Sequence, residues 1–453
     1  MRTALQDHSL LYRMSVLLAV LVLGLLAYAL AAWAWNSPVE LGAYDMLLRM
    51  RPLAAPRSDI VIVGIDEASE SSLGRPPLSR TVHARIIDRL HRAGAKVIVY
   101  DKMFAQPSVS YPGSDAALQK ALSASGNVFI PMVYDPLRQA SWSPSDIKSL
   151  ILLERDALAE QISYLPNTPD YRYYFFVPPM ADFISAAKGV GVAVSPSNGS
   201  YFVRSAQLAY LTRVLYPVPS GPLPQSMPMP RLINRVAVLQ GLPLIVAKDI
   251  LGDKEGLSSQ VSFGRNIALF AGISPYYVPI DKQGAMYIDF AGPAGTYPNL
   301  GAADLLAGRL DRSLFEDKIV LVGVTDPTSS LAAVFNTPFG HMPRVEITAN
   351  AIASILSGTA PVRRQKETLA VFLLLSIILG LILPLFDRWE LGPATFVLAL
   401  TYIVLDVLAL TIFHRAFPVV PGVVLILAAG VVTALLMPAV FVEEETGITA
   451  EEL

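Results

Sequence analysis

Four stretches of this chain are apolar enough to leave water, and they fix where everything else must go. The first, Met14 to Trp35, is almost wholly apolar and uncharged. Three more follow near the other end, at about Leu369 to Phe386, Gly392 to Phe413 and Phe417 to Val442. At a rise of about 1.5 Å per residue, helices of this length cross the roughly 30 Å hydrocarbon core of a bilayer. Trp33 and Trp35 stand at one end of the first run, where an interfacial anchor belongs. A cleaved signal peptide is the alternative for this run, since Ala29-Leu30-Ala31 can pass as a cleavage site. The run exceeds a usual signal-peptide core, which favours an uncleaved span. The breaks Asp387-Arg-Trp-Glu-Leu391 and His414-Arg-Ala416 suit tight helical hairpins.

The expected organisation is a tail (1–13), one span (14–35), a globular domain (36–366), three spans (367–442) and a short acidic tail (443–453). One span before the domain and three after put both ends of the chain on one side. Arg2, Arg13 and Arg388 share that side, which predicts cytoplasmic termini and an extracytoplasmic domain. Arg363, Arg364, Lys366 and Arg415 lean the other way. Hydrophobic residues make up 53% of the chain and charged ones 16%, too apolar for an ordinary soluble protein of this length. The formal net charge of -2 gives no basic surplus for nucleic acid. With no cysteine, disulfides, cysteine-ligated metal centres and thiol catalysis are excluded.

Within the globular segment, Ile60 to Val63 is a short, β-branched apolar run ended by glycine and acids, which predicts a strand buried on both faces. Val82, Ile86, Leu90 and Ala93 follow at helical spacing, and Lys96-Val-Ile-Val-Tyr-Asp101 repeats the strand form. Strand, helix, strand is the βαβ unit of a parallel sheet. Lys318-Ile-Val-Leu-Val-Gly-Val-Thr-Asp326 has the same form far downstream. Leu41 to Met50 reads as a juxtamembrane helix and Ala116 to Ser125 as a helix. Val128 to Tyr134 and Val190 to Val194 read as strands, Ser145 to Ile162 and Ile233 to Leu239 as helices, and 215–231 as a loop. Short strands are expected from about 260 to 290 and short helices at Ala302 to Ala307 and Ser313 to Phe315. An amphipathic helix from Val345 to Leu356 is stopped by Gly358. The fold class is therefore an α/β domain with a mainly parallel central sheet, joined to a helical membrane region of four spans.

In such sheets ligands gather beyond the carboxyl ends of the strands. Asp66, Glu67 and Asp101 stand there, joined by Asp326. Clustered carboxylates can bind a divalent cation or a cationic or polyhydroxyl ligand; the plainer role is to cap helices and satisfy loop amides. Ser69 and Arg80 come from the adjoining loop, and Arg80 is expected to pair with Asp66 or Asp101 and hold that loop shut. Glu346 and Asn350, one turn apart, either face the site or, for Glu346, favour their helix's N-terminus. The basic residues after the loop, His83, Arg85, Arg89, His91 and Arg92, mostly face solvent if Val82, Ile86 and Leu90 form the buried stripe. Asp406 lies inside the third span and is expected to bond a polar group of the bundle, Ser376 being one candidate, or to mark a partner contact. Pro384, Pro418, Pro421 and Pro438 are candidate hinges, though membrane helices tolerate proline near their ends. No Gly-x-Ser-x-Gly, Walker loop or His-Glu-x-x-His occurs, so neither an enzyme, a cofactor nor a bound metal is expected.

The ordered motifs resemble the second class of CHASE domains, extracytoplasmic sensors of bacterial cyclases and histidine kinases. The matching pieces are Ile62-Val-Gly-Ile-Asp-Glu-Ala-Ser69, Pro77 to Arg80, Gly94 to Asp101 with Phe104, Asn198-Gly199 with Arg204, and Ile288-Asp-Phe-Ala-Gly292. Ala303 to Gly308, Lys318 to Gly323, Thr337-Pro338 and Val345 to Ile352 complete the series. The layout of one span, domain and three spans agrees as well. Four departures stand out. Arg75-Pro-Pro-Leu-Ser-Arg80 lacks the usual tryptophan, Arg344 replaces a glycine, Asn198 replaces an aspartate, and no output domain follows the last span. The resemblance implies a sensor in a bacterial plasma membrane, with an extracytoplasmic ligand, a cytoplasmic output domain or partner, and a homodimeric state. The other readings are a membrane-anchored accessory subunit that docks another protein and an extracytoplasmic metal-dependent enzyme.

Overall fold

The computed structural model describes residues 2–437 except 54, 75–76, 135–148, 150–160, 165–175, 197–201, 215–234, 253–257, 272–273, 330 and 364. The chain divides into two compact units, Met1–Pro52 with Val362–Leu453, and Leu53–Pro361. The juxtamembrane helix thus groups with the spans. The expected helix at Ser145 to Ile162 lies almost wholly outside the described residues, as do Asn198-Gly199, Arg75, the 215–231 loop, Pro438 and the acidic tail.

The chain opens with α1 (Arg2–Ala34) and α2 (Pro38–Met50). Ser37 caps α2, its hydroxyl accepting from the Glu40 amide at 3.2 Å, and Pro38 sits in the first turn, where its missing N–H costs nothing. The second unit then runs β1 (Ile60–Ile65), α3 (Glu67–Leu73), α4 (Arg80–Arg92), β2 (Val97–Tyr100), α5 (Ser114–Ser125) and β3 (Val128–Tyr134). Next come β4 (Gln161–Tyr164), β5 (Phe176–Val177), α6 (Ala181–Ala186), β6 (Gly189–Val192), β7 (Ser205–Gln207), β8 (Ala209–Val214), β9 (Arg235–Gln240) and α7 (Leu242–Leu251). The unit finishes with β10 (Ser258–Ser262), β11 (Asn266–Ala271), β12 (Ser274–Pro279), β13 (Ala285–Tyr287), β14 (Asn299–Gly301), α8 (Ala302–Ala307), β15 (Ile319–Val324), β16 (Val334–Thr337), β17 (Gly340–Pro343) and α9 (Arg344–Ser357).

The main sheet runs β14-β1-β15-β2-β3, with β6 and β5 both on β3. Every pairing in it is parallel except that of β3 with β5. The third apolar run of the sequence, β15, lies between the first two, with Ile60 opposite Ile319 and Ile319 opposite Val97. Both faces are dry. Val61, Val63, Ile98, Tyr100, Val320 and Val322 pack with α4, α5 and α8, while Ile60, Ile62, Val97, Val99, Ile319 and Leu321 pack with α7 and α9. Each such side chain contributes roughly 1.5–3 kcal/mol on burial, and this explains the absence of polar alternation in these strands. Helix α9 is buried along most of its length. Val345, Ala349 and Ile352 meet the main sheet, and Ile347, Ala351 and Ile355 meet a second core built on β10, β11 and β12. Gly358, at φ 67°, ends α9 in the left-handed conformation that glycine adopts without penalty.

One expected element is overturned. Residues 235–240 are not helical but form β9, antiparallel to β8 with Leu211 opposite Val238. The helix begins just beyond, at Leu242, with Pro243 in its first turn. Ile233 and Asn234 lie outside the described residues.

In the first unit, α10 (Gln365–Ile382), α11 (Leu391–Phe413) and α12 (Val419–Leu436) join α1. Among the described residues, four helices are long and apolar enough to cross a membrane, over Leu10–Ala34, Glu367–Leu385, Leu391–Phe413 and Val419–Leu436. Val16, Val20, Phe372, Leu379, Leu425 and Ala429 form their shared core, while Leu18, Leu25, Leu400 and Leu405 point outward as lipid-facing groups do. Small residues allow close approach. A side chain at Gly24 would strike Ser376 on α10, and one at Gly430 would strike Thr395 on α11.

Candidate functional site

The acids at the strand ends are each satisfied by their own surroundings rather than by one another. Asp66 caps α3: its Oδ1 accepts from the Ser69 amide at 2.8 Å and from the Ser69 hydroxyl at 2.6 Å. That buried hydroxyl accepts in turn from the Ala303 amide at 3.1 Å, tying α3 to the first turn of α8. Glu67, in the same first turn of α3, is exposed. Asp326 closes a tight turn, accepting from the Thr328 amide at 2.8 Å and hydroxyl at 2.7 Å. Glu346, buried at the start of α9, gathers the loop before β14. Its carboxylate accepts from the amides of Gly295 (2.9 and 3.0 Å) and Thr296 (3.0 Å). Burial raises its pKa, and these amides work against the rise. Asn350, one turn on, accepts from the Ala291 amide and donates to the Glu346 carbonyl.

Asp101 is held by Arg344, the residue that departs from the resembled pattern. Arg344 Nε stands 2.8 Å from Oδ1 and 3.1 Å from Oδ2, and Nη2 donates to the Asp101 carbonyl at 3.2 Å. Both side chains are mostly buried. Burial raises the Asp101 pKa and the arginine opposes it. The pairing of Arg80 with Asp66 or Asp101 is therefore overturned. Arg80 pairs with Asp115 at the start of α5 and donates to the Gln106 carbonyl. Its guanidinium also lies over the rings of Phe104 (5.7 Å) and Phe183 (5.4 Å). It does hold the segment after β2 in place.

Two groups were missed or misread from the sequence. His83 does not face solvent: it is buried, its Nδ1 2.9 Å from the Tyr100 hydroxyl and its ring edge-on to Tyr100 and Phe104. Burial, then Lys102 and Arg80, push its pKa down to about 3, so the ring is neutral at neutral pH. Lys102, half-buried after β2, has its pKa lowered by burial, then by Arg80 and Arg344. Among the described residues, no three His, Asp or Glu side chains converge as metal ligands.

The membrane unit carries its own polar node. Glu40, on α2, is buried, and its carboxylate accepts from the Val419 amide at 2.9 Å and the Val420 amide at 3.1 Å. It thereby caps α12, whose own N-cap, Pro418, has no side chain to do so. Burial raises the Glu40 pKa, opposed by these amides and by Arg363. Arg363 lies 3.8 Å from Glu40, donates to the Trp35 carbonyl at 3.1 Å, and stacks over the Trp35 and Tyr44 rings. Asp406 does not bond Ser376, which instead bonds the Phe372 carbonyl of its own helix. One Asp406 oxygen accepts from the Phe417 amide at 3.0 Å, so this acid too serves the chain entering α12. Pro418 and Pro421 sit at the start of α12, where a missing N–H is tolerated, and Pro384 sits in the short 3-10 turn that ends the second span. The sequence signal for Glu40 was a lone acid in an apolar stretch beside a span.

Neither curated proteins nor solved structures include a match to this chain. The family model for the CHASE2 domain matches residues 16–385, which includes the first span, the α/β unit and the second span. That match covers most of the chain, and the chain belongs to the CHASE2 domain family.

Proposed function

We propose that this protein is a bacterial plasma-membrane sensor whose α/β unit detects an extracytoplasmic signal and relays it through its spans to a cytoplasmic output domain or partner. CHASE2 domains are sensor domains, and the four apolar helices supply the membrane region. The observation that carries the relay is the Glu40 node. The chain passes between its two units twice, after residue 52 and after residue 361. Next to these passages stand Glu40 on α2, which is bonded to the start of α12, and Arg363 before α10, which is tied to Glu40 and to the Trp35 carbonyl just after α1. The bonds among Glu40, Arg363 and the start of α12 are buried and charge-assisted, which supports reading this node as the element that passes a change on to the spans. Any ligand does this only by binding one arrangement better than the other. The chain is read as acting without chemistry of its own, and as a homodimer, which light scattering of the detergent-purified protein checks.

The chain contains no cysteine, so single cysteines report cleanly on sidedness. Val109 in the α/β unit and Trp389 in the α10–α11 connection are both well exposed. In intact cells an impermeant maleimide is expected to label Val109→Cys, and Trp389→Cys only after permeabilisation. The reverse pattern would place the α/β unit in the cytoplasm and end the reading.

A further inference from the structure

Helix α2 is patterned in reverse of a helix that faces water. Its 13 residues make it about 20 Å long, too short to cross a bilayer core of roughly 30 Å. Both of its carboxylates lie on the inward side. Glu40 and Asp45 are buried there with Tyr44, Leu47 and Leu48. The outward side is apolar. Val39 (68% exposed), Met46 (60%) and Met50 (49%) recur at helical spacing, and Gly42 and Ala43 fall on the same side between the first two. Arg49, in the last turn, is the one charged residue of α2 that is exposed. A continuous apolar face of this kind marks a surface that meets something apolar.

The place of α2 in the membrane unit identifies the occupant. Glu40 accepts from the first amides of α12 and lies 3.8 Å from Arg363, which precedes α10 and donates to the Trp35 carbonyl just after α1. Val362 pairs with Arg415, just beyond α11. The start of α2 is therefore level with the end of the bundle where α1 and α11 finish and α10 and α12 begin. Large apolar side chains are exposed at that same end, Trp33 on α1 and Ile412 and Phe413 on α11. The outward face of α2 thus continues a surface that the spans already turn to lipid.

We propose that α2 is an interfacial helix whose Val39, Met46 and Met50 face binds the boundary between lipid headgroups and acyl chains. Helices of this type seat their apolar face roughly 5–10 Å into that boundary. Lipid then holds one side of α2 while Glu40 ties the other to α12. The proposal rests on the spans crossing a membrane and not on the sensor reading, which sidedness labelling tests separately.

Single spin-labelled cysteines test it in the full chain, which has no cysteine of its own, in nanodiscs of mixed phosphatidylcholine and phosphatidylglycerol. Oxygen concentrates in lipid and a nickel chelate in water, so the ratio of their collision rates with the label reports the medium it meets. Leu405→Cys on the lipid side of α11 and Val109→Cys on the α/β unit set the two limits. Met46→Cys is expected to give a ratio several times that of Val109→Cys and nearer that of Leu405→Cys. A ratio nearer that of Val109→Cys puts the face in water and overturns the proposal. Slow collision with both reagents means that protein covers the face, a second copy of this chain or another subunit, and overturns it as well. If Met46→Cys does not fold, Val39→Cys takes its place under the same criteria. A Leu405→Cys label that meets water would remove the membrane placement on which the proposal rests, a failure distinct from that of α2.

Discussion

Arg344 and Asp101 form an ion pair with both side chains mostly buried, at 15% and 5% exposure. Removing the cation leaves a carboxylate in an apolar place, so Arg344→Gln is expected to cost about 3 kcal/mol in chemical denaturation. Adding Asp101→Asn should return much of that loss, and strict additivity of the two substitutions would show that the pair is not coupled. His83 gives a pH dependence. Its folded pKa, about 3, lies below the ordinary 6.5, so the unfolded chain binds the extra proton between those values. Stability is full above about pH 6.5 and falls on acidification, by roughly 2 kcal/mol at about pH 5 from this group alone. Comparing the stability slopes of wild type and His83→Gln over that window isolates the contribution, and identical slopes would refute it. Tyr100 and Phe104 are in contact with this ring, and burial pushes the Tyr100 hydroxyl further above its ordinary value, so it does not titrate in the window. The residue itself was legible in principle. The buried face of α4 is His83, Ala84, Ile86, Ile87 and Leu90, one position round from the stripe begun at Val82. A histidine inside a helical stripe reads as polar until its tyrosine partner, on a strand seventeen residues later, is known. Arg344 was visible as a departure from the family pattern, but its partner was not, because Asp101 lies 243 residues earlier.

At the scale of elements, β1, β2, β15, α4 and α9 were readable because burial on both strand faces and a terminating Gly358 each leave a local mark. The order of the strands was not, since insertion of β15 between β1 and β2 is a long-range event. β9 was misread as a helix because Val236, Ala237, Val238 and Leu239 suit either form. Pairing with β8, not propensity, decides between them. The hairpin of β16 and β17 gave no strong alternating signal and was missed. In the membrane unit the spans were legible and their contacts were not. Gly24 illustrates the difference: it faces Ser376, whereas Leu25 beside it is half exposed. Gly24→Val is expected to lower the melting temperature of the full chain by several degrees, a cost of about 1–3 kcal/mol from overpacking. Leu25→Val should change little, and equal effects at the two positions would contradict the α1–α10 packing.

For the whole molecule, the sequence carried the plan of one span, an α/β domain and three spans, since hydropathy is a local property. The Glu40 node was not legible, because Glu40 reaches residues 379 positions away and gains meaning only once α2 and α12 meet. Glu40→Gln keeps the size of the side chain while removing its charge from the first amides of α12 and from Arg363. It is expected to weaken the attachment of α2 to the spans. The measurement that tests the account most directly is a distance distribution between spin labels on two lipid-facing positions, Leu25→Cys on α1 and Leu405→Cys on α11. The full chain in nanodiscs is compared between wild type and Glu40→Gln. The account predicts one narrow distribution in wild type and a broader or displaced one in Glu40→Gln, because the tie that fixes the start of α12 is lost. Identical distributions in the two would contradict it.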